Sequence, residues 1–170
     1  MRIKVGTFNL NNLFSRFNFV AAIQDLSEDE TLGSLTFRYE FRADEIQVRT
    51  FRGKLIKAKP HKNTVKMANR ILNMDLDFLA VQEVEDIHVL SSFNKEYLGN
   101  LYSHQVLIED NDPRFIYVAL LSKLPFGAVA TYKTAVHGDT PQKRVLGRDL
   151  LQVEILNEAC KRKLFTLYNN

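Results

Sequence analysis

Asp77-Phe78-Leu79-Ala80-Val81-Gln82-Glu83-Val84-Glu85 is an apolar run of strand length that ends abruptly in a Gln-Glu pair. A buried strand of this kind delivers a carboxylate to one end of a sheet, where water and ligands reach it. Hard divalent cations take oxygen ligands, and Mg²⁺ is usually held by one or two protein carboxylates together with water and phosphate. Glu83 is therefore the first candidate metal ligand. The alternative is a strand that simply meets solvent with a charged side chain. Upstream, Val5-Gly6-Thr7-Phe8-Asn9-Leu10-Asn11-Asn12-Leu13-Phe14 is a second short apolar strand that closes in a cluster of amides. An Asn brings no charge to a metal, but it hydrogen-bonds carboxylate and phosphate oxygens alike. Asn9 is a candidate on that ground, with a turn-capping role as the alternative.

Three later blocks follow in a telling order. Glu109-Asp110-Asn111-Asp112-Pro113-Arg114 leads into Ile116-Tyr117-Val118-Ala119-Leu120-Leu121-Ser122-Lys123-Leu124-Pro125. Gly147-Arg148-Asp149-Leu150-Leu151-Gln152-Val153-Glu154-Ile155 opens another strand, and Lys163-Leu164-Phe165-Thr166-Leu167-Tyr168-Asn169-Asn170 a last one. Together the five blocks resemble the endonuclease/exonuclease/phosphatase superfamily, which includes pancreatic deoxyribonuclease, abasic-site endonucleases, inositol phosphatases and neutral sphingomyelinases. The blocks cover nearly the whole chain. Two positions depart from that pattern: Phe115 stands where Gly is usual and Tyr117 where Asp is usual.

The resemblance implies a fold, an activity and a site. The fold is a four-layer α/β/β/α sandwich of the deoxyribonuclease-like type with mostly antiparallel or mixed sheets. It is expected here in incomplete form, because such a domain needs roughly 250 residues and the chain has 170. Residues 1–170 are read as the N-terminal portion of one such domain. The Asn-His-Leu-Lys-Ser, Gly-Asp-x-Asn and Ser-Asp-His motifs that the family places further on do not occur in them. The activity is metal-dependent hydrolysis of a phosphate ester, with Mg²⁺ as cofactor and Mn²⁺ as its substitute. Glu83 would hold the metal with Asn9 beside it, and Arg114 would stabilise charge on the phosphate through paired hydrogen bonds. Asn11, Asp112 and Arg148 are the further candidates for substrate contact. For Asp112 and Arg114 the alternative is a surface turn whose charges pair. For Arg148 it is a structural salt bridge. Without the Asp-His pair that supplies the general base, this chain alone is expected to be inactive. The competing reading is a degenerate, non-catalytic binding or scaffold module on the same fold.

Composition sets the outer limits. The chain is 45% hydrophobic and 25% charged, enough for one substantial core. No apolar stretch approaches the ~20 residues of a membrane span. The N-terminus starts a strand with no secretory signal, so cytoplasm is the expected compartment. The lone Cys160 allows neither an internal disulfide nor a zinc cluster, and its surroundings read as an exposed turn. A net charge of +3 leans toward nucleic acid over phospholipid or inositol phosphate as the phosphate-ester partner. Basic residues bunch between 49 and 66, either as a phosphate-contacting ribbon or as solvated hairpin faces.

The elements that must position these groups follow from periodicity. A strand is expected over 4–10, an acidic loop tip at 25–30, and a hairpin from 36–41 and 47–57 with its bend at Arg52-Gly53-Lys54. From 62 to 75 the period becomes helical, with Val65, Ala68, Ile71 and Leu72 on the inner face, Met67 and Met74 widening it, and Asn63 or Thr64 as cap. A strand follows at 78–82, and then a helix capped by Asp86 with Leu90, Phe93 and Tyr97 on one face, stopping at Gly99-Asn100. Strands are expected over 104–108, 116–122, 127–132, 150–156 and 163–168, with a loop at 135–142. Strand edges left unpaired are expected to favour self-association.

Overall fold

Phe78, Leu79, Ala80 and Val81 are apolar without a break, so the strand they form has to be covered on both faces. A computed structural model shows how; it describes residues 2–13, 22–29, 34–40, 59–112, 116–147 and 149–170. β4 (Phe78–Val84) and β6 (Tyr117–Ser122) are the inner strands of a four-stranded sheet, with β1 (Val5–Leu13) outside β4 and β5 (His104–Leu107) outside β6. β1 runs parallel to β4, and the other two pairings are antiparallel.

Alternation along the inner strands sorts their side chains into two cores. Leu79, Val81, Ala119 and Leu121 pack with Met67, Ala68 and Ile71 of α1 (His61–Met74) and with Val89, Leu90 and Phe93 of α2 (Ile87–Tyr97). Phe78, Ala80, Val118 and Leu120 point the other way, onto Leu151, Val153 and Ile155. Those three belong to a second, antiparallel sheet in the order β11-β10-β7, built from β7 (Phe126–Thr131), β10 (Leu151–Leu156) and β11 (Lys163–Asn169). Phe78 meets Phe165 edge-on at 5.3 Å between ring centroids, across the two sheets. The architecture is therefore mixed α/β: two helices, a mixed sheet and an antiparallel sheet. All of these lie in one unit, residues 1–15 and 59–170.

The helices show which local signals were decisive. Asp86 caps α2 as its type predicts, accepting the Val89 N–H at 2.9 Å. α2 closes with the Asn100 N–H on the Asn94 carbonyl at 2.9 Å, and Gly99 at φ 62 makes the turn. α1 starts earlier than expected. Pro60 stands at its N-cap, and its carbonyl takes the N–H groups of Asn63 and Thr64 at 2.8 and 3.1 Å. Asn63 and Thr64 thus lie inside the first turn and do not cap it. The buried stripe is Thr64, Met67, Ala68 and Ile71. Leu72, expected inside, is 39% exposed.

Two loops proved to be strands. Residues 135–142 were expected to be irregular, yet β8 (Val136–His137) pairs with β9 (Thr140–Arg144) across a two-residue turn at Gly138-Asp139. In a separate unit, residues 16–58, β2 (Ala22–Asp29) pairs antiparallel with β3 (Ser34–Glu40). The acidic stretch read as a loop tip is thus mostly strand. It pairs with β3, which covers the first piece of the expected hairpin; the second piece, 47–57, lies outside the described residues. The bend at Arg52-Gly53-Lys54 and the basic run up to residue 58 also lie outside them.

Opposite the Gln-Glu end of β4, charge closes the first sheet. The Lys4 N–H donates to Asp77 Oδ2 at 2.9 Å, and its ammonium sits 2.6 Å from Asp75 Oδ2. Lys123, just past β6, lies 3.4 Å from Asp77 and 3.5 Å from Asp75. Among the described residues no helix is long and apolar enough to cross a membrane.

Candidate functional site

The site begins as a fault in two ladders. β4 and β6 match residue for residue from Phe78↔Ser122 to Val81↔Ala119, and the next matched pair is Val84↔Tyr117. Gln82 and Glu83 therefore oppose Val118 alone, a β-bulge, and Glu83 takes the left-handed conformation at φ 64. On the other side, β1 is in step with β4 up to Asn9↔Gln82 and resumes at Leu13↔Val84. In that gap Asn11 and Asn12 are also left-handed, at φ 47 and 60. Asn tolerates this region, but a residue with a longer side chain is disfavoured there by about 1–2 kcal/mol. Three left-handed residues side by side bend both strand ends at the level of the Gln-Glu pair.

The side chains lock this shape. Glu83 is half-buried and its Oε2 accepts the Asn12 N–H at 3.1 Å. Asn9 is exposed and its Oδ1 accepts the Asn11 N–H at 2.6 Å, the turn-capping arrangement open to it from the sequence. Asn11 was expected to share a side with Asn9 by simple alternation. The left-handed backbone interrupts that alternation, and the amide N–H of Asn11 serves Asn9 instead. Gln82, in register beside Asn9, donates to Thr7 Oγ1 at 3.0 Å and to Asn169 Oδ1 at 2.7 Å. Lys59, just before α1, is half-buried. Burial pushes its ammonium pKa down, and the Glu83 carboxylate pulls it back up.

Asp112 is only 4% exposed. Asp110 accepts the N–H groups of Asp112 and Asp149 at 2.6 and 3.1 Å. Burial holds the Asp110 carboxyl above the usual range, and the charges of Asp112 and Asp149 push the same way. Asp149 is fully buried, takes the Tyr132 N–H at 2.7 Å and accepts the Thr131 hydroxyl. Leu151 pairs with both Thr131 and Asn169, so this carboxylate cluster belongs to the end of the second sheet that Asn169 joins to Gln82. Arg114 and Arg148 lie outside the described residues.

Whether the rim suits a cation depends on its donors. Among the described residues no group of three or more His, Cys, Asp or Glu side chains could hold a metal ion. The rim offers one anchored carboxylate flanked by amides, an all-oxygen set. It fits Mg²⁺, which keeps much of its water and asks for one or two carboxylates. The histidines have other settings: His61 meets the Tyr97 hydroxyl, His104 lies against Phe126, His137 accepts the Asp139 N–H, and His88 is exposed on α2.

No protein-family model, no curated protein and no solved structure matches this chain. The geometry therefore has to speak for itself. It adds three groups that sequence reasoning did not single out: Thr7, Lys59 and Asn169. Asn169 carried a usable signal, since it shares a strand face with Leu167 and a polar residue there must find partners. Lys59 carried none.

Proposed function

We propose that the rim formed by β1 and β4 is the cation- and phosphate-binding end of a phosphoesterase site of the endonuclease/exonuclease/phosphatase type. The observation that supports this most is Glu83. A charged residue is held in a disfavoured backbone conformation, with its carboxylate anchored by a main-chain N–H. Strain of this sort persists where the surroundings impose it, and it concentrates at functional sites. In this reading the helices, the mixed sheet and the antiparallel sheet are three layers of the four-layer α/β/β/α sandwich.

Glu83 and the oxygens of the Asn9–Asn12 turn would hold Mg²⁺, with Mn²⁺ as substitute. Bound there, the ion would polarise a phosphoryl oxygen and stabilise the leaving oxygen. Asn9 orients the rim by fixing its turn, and Lys59 adds a cation within the field of Glu83. The net charge of +3 favours nucleic acid as the phosphate ester over phospholipid or inositol phosphate. None of the described histidines is bonded to the rim, so these residues account for binding and orientation and not for proton transfer. That same observation favours the second reading, a binding module without turnover.

The test is calorimetric titration of Mn²⁺ and Mg²⁺ into the 170-residue chain and its Glu83→Gln variant. Binding of one ion, lost on substitution, is the expected result; equal binding by both proteins, or none by either, sinks the proposal. Hydrolysis of a nitrophenyl phosphodiester separates enzyme from module. None is expected from this chain alone.

A further inference from the structure

We infer that Asn169, although it lies in the second sheet, is the positioning residue that holds Glu83 in its left-handed bulge. The inference rests on the phosphoesterase reading only for the meaning of the rim. Its structural content stands apart from that reading.

A bulge leaves main-chain groups out of step with the facing strand, and such groups need other partners when buried. Val81 and Ala119 are the last matched pair before the break in β4 and β6. Both of their carbonyls accept from one group, Asn169 Nδ2, at 2.9 Å each. Asn169 Oδ1 in turn takes Gln82 Nε2 at 2.7 Å, so the same side chain also grips the first residue of the bulge. Gln82 continues the chain of bonds to Thr7 on β1. Every polar atom of this amide is thus committed, at 7% exposure, to the residues that flank the fault. Two strands, β4 and β6, converge on a side chain that comes from a third, and Gln82 ties β1 to it indirectly.

The consequence for Glu83 is geometric. It follows Gln82 directly, and its carboxylate reaches the Asn12 N–H only with φ near 64. If the Asn169 amide is removed, two carbonyls lose this donor and the Gln82 carboxamide keeps only its bonds to Thr7. The strand then relieves the loss by sliding back into regular register. Regular register turns Glu83 out of the left-handed region and breaks its bond to Asn12.

Hydrogen exchange of the Asn12 amide reads this directly and needs no metal. Asn169→Ala, and Asn169→Asp, which keeps the shape and loses both donors, should raise Asn12 exchange at least tenfold beyond the change in global stability. Mn²⁺ affinity should fall at least tenfold in the same variants. Leu167→Ala, on the same strand and facing the core, should lower stability without either effect. Asn12 exchange and Mn²⁺ affinity unchanged in the Asn169 variants, or reproduced by Leu167→Ala, would overturn the inference. Should the variants not fold, the unsubstituted chain decides. In low urea the Asn12 amide should open together with the β10–β11 ladder, and opening while that ladder stays closed refutes the tie. A wild-type chain that binds no Mn²⁺ brings down the phosphoesterase reading alone, because the exchange result still judges Asn169.

Discussion

Replacing Glu83 by glycine and by alanine isolates the backbone at the rim. Both substitutions remove the carboxylate and its bond to the Asn12 N–H, so that loss cancels between them. They differ in how they meet φ 64. Alanine keeps the Cβ that crowds the following carbonyl, at a cost of about 1–2 kcal/mol, and glycine has none. Glycine gives back about 0.4–1 kcal/mol through its freer unfolded chain. Glu83→Gly should therefore be the more stable variant by about 0.5–1 kcal/mol. With a urea slope of about 1–3 kcal/mol per molar, its midpoint should lie higher by roughly 0.2–1 M. At an ordinary strand position the order reverses, because glycine there is worse than alanine by roughly 0.5–1 kcal/mol. The sign therefore decides, and parallel urea melts of the two variants measure it. Alanine equal to or better than glycine would show that Glu83 is not strained, and the main support for a functional rim would go with it.

Asp110 sits with its pKa raised by burial, so protonation is easier in the folded state than in the unfolded chain. Its ionised form weakens the fold as pH rises through the folded pKa and does no harm below the unfolded value. Asp110→Asn also loses one of the two N–H acceptors, a cost independent of pH. Its urea midpoint relative to the unsubstituted chain should therefore improve from pH 3 to pH 7; a relative midpoint that improves on acidification would contradict this sign. Tyr102 buries its hydroxyl with no partner among the described residues, and burial pushes its pKa up to about 12. Tyr102→Phe should leave stability unchanged or raise it by about 1 kcal/mol in the same melts. A clear loss would mean that the hydroxyl has a bridging water.

The parts of this molecule that could be read from sequence are those where one physical demand dominates. The unbroken apolar run of β4 announced a buried strand, and Asp86 before Leu90, Phe93 and Tyr97 announced a capped helix. What escaped depended on competition between demands. β2 carries Asp25, Glu28 and Asp29, residue types depleted in strands, and forms through its pairing with β3. Pro60 displaced Asn63 and Thr64 as the start of α1, because its carbonyl was already placed for the first turn. At the rim, Asn11 and Asn12 are types that tolerate left-handed backbone, so the bend of β1 was within reach of the sequence. Glu83 gave no such hint, since its conformation comes from the bulge and not from its own preference. Asn169 was legible as the end of a strand. Its bonds to Val81 and Ala119, 88 and 50 residues away, belong to tertiary structure alone.

The two ends of the first sheet are fastened in different currencies. The Lys4, Asp75, Asp77 and Lys123 clasp is made of partly solvated charges, which added electrolyte screens within a few ångströms. At the other end the bonds of Asn169 join neutral groups and are buried, so electrolyte leaves those bonds alone. Concentrated brine therefore unfastens the end remote from Glu83 first, and the molecule frays from there while the carboxylate keeps its aim.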